Sequence, residues 1–207
     1  VDRRYGACVD WIRGHHDSIA LTNDFLKDIH ARITPENAPE RGRWKTANNH
    51  FPVQASDGTW VSSLLTVHFR FVDGRMTDLE KGMGDLWSAG RVHRHILIAA
   101  YWLDLMCIHP FRDGNGRTCR LAALLLLLQS GEDIWMTASL EGIMGKRRGA
   151  YIMALRTQLN GWWTGDHDLV HWCRFIFDLT REVGLDLERR VNRMESRFDE
   201  AERIAAA

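Results

Sequence analysis

Two apolar runs, Ile96–Ile108 and Leu121–Leu128, constrain the fold of this chain more than anything else in it. Both are apolar nearly all round, and the first carries a single charge, Asp104. A helix that is hydrophobic on every face has no side for water, so it belongs inside a larger body. Neither run reaches the roughly 20 apolar residues needed to cross a bilayer. The pattern therefore predicts two buried helices, about 92–107 and 116–129, with the rest of the chain as their cover. The 207 residues, 45% of them hydrophobic, suffice for one such domain.

Between the runs lies His109-Pro110-Phe111-Arg112-Asp113-Gly114-Asn115-Gly116-Arg117-Thr118-Cys119-Arg120. So much polarity between two buried helices is hard to explain as packing. Gly114 and Gly116 allow a tight turn that aims successive N–H groups at one point. A helix starting near Gly116 adds unpaired N–H groups and its positive dipole end, which together make an anion site. Arg117 and Arg120 are three apart and share a helix face, where each guanidinium can fork onto phosphate oxygens. Asn115 can donate to phosphate from its side-chain amide. Asp113 would repel a polyphosphate unless a Mg2+ is shared between them. His109, neutral near pH 7, can take a proton from a hydroxyl. Phe111 points the other way and anchors the loop.

These residues together resemble the signature of the Fic family, HPFxxGNGRxxR with an acid before GNG, and every position of it is present. The resemblance implies an all-α fold, a Fic-type helical bundle with a small β-hairpin flap. It implies one Fic domain over 1–207, with the flap at about 50–72, the catalytic loop at 109–120 and a long C-terminal helix at about 167–200. It also implies a Mg2+-dependent protein adenylyltransferase that moves AMP from ATP to a Tyr, Thr or Ser hydroxyl of a target protein. In that role His109 is the general base and Asp113 the metal ligand. Gly114, Asn115 and Gly116 form the nest for the α- and β-phosphates, and Arg117 and Arg120 contact the β- and γ-phosphates. The same family frame admits transfer of another phosphate-containing group, removal of AMP, or a catalytically silent protein-binding module.

The remaining chain reads as cover and accessory. Residues 1–14 suggest a short helix ended by Gly14, and Thr22 caps a second helix with Phe25, Leu26, Ile29 and Ile33 on one face. Gly42-Arg43-Trp44-Lys45-Thr46 leads into the strand candidates. Phe51 and Val53, Trp60 and Val61 flank the turn Ser56-Asp57-Gly58-Thr59, and Thr66–Val72 is rich in β-branched and aromatic residues. In the family the corresponding flap lies over the active site and pairs with an extended target segment. Met76, Leu79, Met83 and Leu86 predict an amphipathic helix over 76–88. Short helices near 139–144 and 146–159 follow. Leu169, Trp172, Ile176, Leu179 and Val183 line a long final helix that Leu187, Val191, Met194 and Phe198 extend past Gly184. Most of the nine Trp, including Trp11, Trp102 and Trp172, fit apolar faces.

Net charge is zero and no long basic tract occurs, so nothing points to a nucleic-acid partner. The four cysteines are scattered among apolar residues and read as free core thiols, consistent with a reducing compartment. No signal peptide or membrane span is read, so the expected location is the cytoplasm, or a host cytoplasm for a delivered effector. Fic proteins are often held off by a helix with the motif [S/T]xxxE[G/N], whose Glu pairs with the second motif arginine, here Arg120. That helix can come in cis or from an antitoxin in trans. Thr137–Gly142 (TASLEG) fits the pattern literally but falls where the family has an ordinary post-motif helix, and the sequence leaves open whether the inhibitory Glu is in cis, in trans or truncated. Ser196–Glu200 is a partial match lacking the final Gly or Asn.

Overall fold

The computed structural model describes residues 2–54 and 60–205, the side chains at 50–65, 159, 160, 200 and 205 excepted. Helices dominate it. The two apolar runs form α4 (Arg94–Ile108) and α5 (Asn115–Gln129), which pack on each other at the centre. Both are buried over most of their length, as their all-round hydrophobicity demands. On the α4 side lie α3 (Val72–Ala89), α7 (Arg148–Trp162) and α8 (Leu169–Ala205). On the α5 side lie α1 (Arg3–His15), α2 (Asn23–Ile33) and the short α6 (Leu140–Lys146). The core pair is thus covered on both flanks, and the loop between its helices is held from two directions.

Local chemistry sets the ends. Thr22 caps α2, its hydroxyl accepting from Phe25 N–H at 3.1 Å, and Ser139 caps α6 by accepting from Gly142 N–H at 3.0 Å. Gly90 ends α3 in the left-handed region at φ 64°. Helix α1 runs through Gly14 to His15, so that glycine does not end it. Helix α3 begins at Val72 and tolerates Gly82 and Gly84, because Val72, Met76 and Met83 bury its inner face; Leu86, expected on that face, is exposed. Trp102 and Trp172 are fully buried, and the four thiols are free.

Strands β1 (His50–Gln54) and β2 (Trp60–Leu65) pair antiparallel, with a register irregularity between Phe51 and Pro52. A bulge suits Pro52, which has no N–H for the ladder. The turn between the strands lies outside the described residues. The flap expected over 50–72 is corrected in extent: Thr66–Val72 is not a strand. His68 accepts from Arg70 N–H, Phe69–Phe71 forms a 3-10 turn, and Val72 opens α3. Local capping has won over β-propensity there. Among the described residues nothing shows the strand pair lying over the motif loop.

Candidate active site

The loop is built by opposite requirements at its two ends. His109 closes α4 in the left-handed region, φ 54° and ψ 59°, a conformation non-glycine residues rarely adopt. Its backbone N–H reaches Leu105 O at 3.0 Å. Its ring Nδ1 lies 3.2 Å from Met106 O, so Nδ1 carries the hydrogen and the lone pair falls on Nε2. Burial pushes the imidazole from 6.5 down to about 4, and the nearby Lys45 ammonium adds to that shift. His109 is therefore neutral at pH 7.

At the other end Gly114 stands in the left-handed region, φ 76°, at the N-cap of α5 with no side chain capping it. A Cβ there would meet the His30 ring at 3.3 Å, so glycine is required twice over. At Gly116 a Cβ would come within 3.2 Å of an Arg120 nitrogen. Thr118 N–H is bonded to Gly114 O at 2.9 Å, so the amides of Asn115, Gly116 and Arg117 precede the first intrahelical bond of the turn. Arg117 and Arg120 flank this end. Arg117 makes only long contacts, to Ile33 O at 3.4 Å, Asp2 at 3.7 Å and Asp113 at 3.9 Å. Asp113 points outward, its side chain 93% exposed, with Oδ1 accepting from Gly114 N–H at 2.7 Å.

Asn115 departs from its expected role. It is buried, with Oδ1 accepting from Phe111 N–H at 2.8 Å and Nδ2 donating to Phe111 O at 2.7 Å. Its side-chain amide clamps the loop from inside and is turned away from the anion end; the backbone N–H remains for that end. Phe111 is fully buried, as expected, and stacks on His30 at 3.9 Å between ring centroids.

Four supporting residues were not legible as such. His30 accepts from Gly42 N–H at Nδ1 (3.0 Å) and so donates from Nε2 to Asp113 O (3.1 Å), bracing the loop as a neutral imidazole. Its place on the inner face of α2, four residues after Leu26, was the available signal. Lys45 is buried and holds both peptide carbonyls that flank His109. Its backbone N–H donates to Pro110 O at 2.8 Å and its Nζ lies 3.5 Å from Ile108 O. The ammonium also donates to Asn49 Oδ1 at 2.7 Å and Thr66 Oγ1 at 2.8 Å, and burial lowers its pKa from 10.5 to about 8. Asn49 in turn donates to Phe111 O at 2.8 Å. Residues 45, 49 and 66, at the foot of the strand pair, thus grip the loop.

Glu141 bears on the off-switch that the sequence leaves open. The TASLEG segment does form the post-motif helix α6, yet its Glu takes the Arg120 fork: Nε to Oε2 at 2.6 Å and Nη2 to Oε1 at 3.0 Å. Tyr5 of α1 lies against this pair, and burial first, then the Glu141 charge, raises its hydroxyl well above the ordinary range. Ser196 sits within α8, bonded to Asn192 O at 2.9 Å, and the Glu200 side chain lies outside the described residues.

Comparisons with known proteins bear on the family and the fold. The chain is 29% identical over 119 residues to protein adenylyltransferase fic-1 of Caenorhabditis elegans, spanning 56% of this chain and 20% of that protein. A Fic-domain signaling protein from Bacteroides thetaiotaomicron superposes with a TM-score of 0.71 at 19% identity, over 88% of this chain and 69% of that one. The Bartonella tribocorum effector BepC, solved with AMPPNP bound, superposes with a TM-score of 0.53 at 16% identity, over 86% of each chain. These structural likenesses show the fold. No helix among the described residues is long and apolar enough to cross a membrane. The Fic/DOC family model matches residues 20–127, more than half of the sequence and the whole motif loop, and the chain belongs to that family.

Proposed function

We propose that this chain is a protein adenylyltransferase using ATP. The observation that carries the proposal is the pairing of a neutral His109 with the uncapped N-terminus of α5 across one short loop. The amides of residues 115–117, Arg117 and Arg120 suit a polyphosphate. His109 Nε2 takes the proton of a target hydroxyl, whose oxygen attacks the α-phosphorus of ATP. The bond from that phosphorus to the α–β bridging oxygen breaks, and pyrophosphate leaves with the electron pair. BepC, bound to AMPPNP, shows that a relative of this fold accepts an ATP analogue.

Asp113 fits a Mg2+ requirement. It is one exposed carboxylate with an oxygen directed to the anion end, and Mg2+ takes one or two carboxylates plus phosphate oxygens and water. Among the described residues no cluster of three His, Cys, Asp or Glu side chains occurs. When bound, the ion would offset charge on the phosphates. A protein target would dock at the strand pair. A cleft of about 720 Å³ at its foot, bordered by Asn49, Thr66, His68, Phe71 and Trp163, adjoins the residues that grip the loop.

A second reading concerns state, and the Arg120–Glu141 pair favours it. A carboxylate in the Arg120 fork competes with the γ-phosphate for one guanidinium. We propose that this conformation is self-inhibited, the off-switch lying in cis in α6. The experiment is a transfer assay with ATP labelled at the α- or the γ-phosphate, with Mg2+ and a cell lysate, on wild type, His109→Ala and Glu141→Gly. Protein-bound α-label that vanishes in His109→Ala and increases in Glu141→Gly supports both readings. Label from the γ-position alone would replace AMP transfer by phosphate transfer.

A further inference from the structure

Helix α8 leaves the body after Val183. Up to there Trp172, Ile176, Leu179 and Val183 are buried, the helix packing on α4, α6 and α7. The same stripe continues through Leu187, which still borders α6 across a small cleft, and past that residue the body does not cover it. Leu187 is half-buried, and Val191, Met194 and Phe198 are 43%, 58% and 67% exposed. These four are spaced 4, 3 and 4 apart, and Ala201 and Ala205 continue the alternation. That is a heptad seam: Gly184, Val191, Phe198 and Ala205 at a, with Leu187, Met194 and Ala201 at d.

The charges beside the seam identify what covers it. In this register every e position is acidic, Glu188, Glu195 and Glu202, and of the g positions Arg190, Arg197 and Ile204 the first two are basic. All five charged side chains are exposed, and the ion pairs found along α8, Arg147–Glu182 and Arg189–Asp186, use other residues. In a parallel two-stranded coil, g faces e of the next heptad across the seam. Arg190 would meet the partner's Glu195 and Arg197 the partner's Glu202, each contact made twice by symmetry. Antiparallel pairing would set Glu against Glu and Arg against Arg, which is repulsive. A lipid surface is disfavoured because the flanks are not predominantly basic. We propose that residues 187–205 form a parallel coiled coil with a second copy of this chain, making it a dimer. Seam pairing also supplies the packing that a lone projecting helix of about 28 Å lacks in water.

Sedimentation equilibrium of the 207-residue chain over the micromolar range tests this. The expected result is a reversible dimer of twice 23.9 kDa. Met194→Glu with Phe198→Glu should leave monomer at every concentration, with circular dichroism showing the body folded. Glu195→Arg with Glu202→Arg, and separately Arg190→Glu with Arg197→Glu, should each weaken the dimer at least about tenfold. An equimolar mixture of these two charge variants should dimerise again, because opposite flanks then face each other. Ala201→Cys should cross-link under mild oxidation only if the strands run parallel and in register. A monomeric wild type would overturn the proposal and leave the stripe to another partner. A dimer that survives both charge reversals would overturn it too, by placing the interface elsewhere.

Discussion

The inner and outer faces of the loop 109–120 have spent their polarity to different degrees. Inside, Asn115 uses both ends of its amide on Phe111, His30 uses both ring nitrogens, and Lys45 serves four oxygens. Outside, Asp113 is exposed and Arg117 makes only long contacts; Arg120 alone is tightly held, by Glu141. One motif therefore contains two classes of residue that look alike in the sequence. The inner class holds a strained loop in shape, and the outer class keeps capacity for something the protein does not itself supply. Changes inside should cost stability and function together, and changes outside should cost function alone.

The sharpest break in that comparison is His109, which belongs to the loop's frame by backbone and to its chemistry by side chain. His109→Ala should lower AMP transfer by about 10²–10⁴-fold, read from α-label incorporation, with thermal unfolding little changed. On the outer face, Glu141→Gly should raise transfer about tenfold or more, since a charge-assisted pair is worth about 1.5–3 kcal/mol. No gain would mean that Arg120 does not limit nucleotide placement. On the inner face, Asn115→Ala should destabilise by about 1–3 kcal/mol in urea titrations, because it leaves the buried Phe111 N–H without its acceptor. Asp113→Ala should stay within about 0.5 kcal/mol of wild type in the same titration while losing transfer. Lys45→Met should lower kcat about tenfold at unchanged KM for ATP, since its part is to hold the carbonyls beside the base.

The inner face also sets a pH dependence of stability. His109 titrates at about 4 in the fold against 6.5 ordinarily, and Lys45 at about 8 against 10.5. In both windows the unfolded chain binds more protons, so both make stability rise with pH. The His109 contribution is complete above pH 6.5 and is lost as pH falls toward 4. The Lys45 contribution grows between pH 8 and 10.5, and Lys45→Met should remove that rise, leaving the cysteine thiols, pushed up by burial, to lower stability with pH there. Transfer activity should likewise persist below pH 6.5, because the base remains neutral there.

The two faces also differ in how far they could be read beforehand. Helices α4 and α5 were legible because hydrophobicity on every face leaves one physical solution. The candidate anion end could be picked out because Gly114, Gly116 and two arginines on one helix face form a pattern with few other uses. The inner face was not, because its meaning depends on which oxygens the fold brings near. Lys45 is a charged residue in an exposed-looking stretch until Asn49, Thr66 and the Ile108 carbonyl gather round it. Asn115 turns inward by a choice of rotamer that no spacing encodes. Glu141 shows the limit from the other side. A six-residue pattern carries little weight alone, and only the approach of α6 to α5 gives it a partner. Thr66–Val72 failed as a strand because β-propensity measures fit to a pleated surface, and its His68 and Phe69–Phe71 had a local turn to make instead.

The Arg120–Glu141 pair has one more implication. Glu141 is tethered, so its effective concentration at Arg120 is the same in a dilute assay and in a crowded cell. ATP would then compete with a rival that cannot be diluted away. The apparent nucleotide affinity becomes the intrinsic affinity scaled by the fraction of chains whose fork is open. Anything that shifts α6 against α5 would register as a change in ATP affinity, without ever touching the nucleotide.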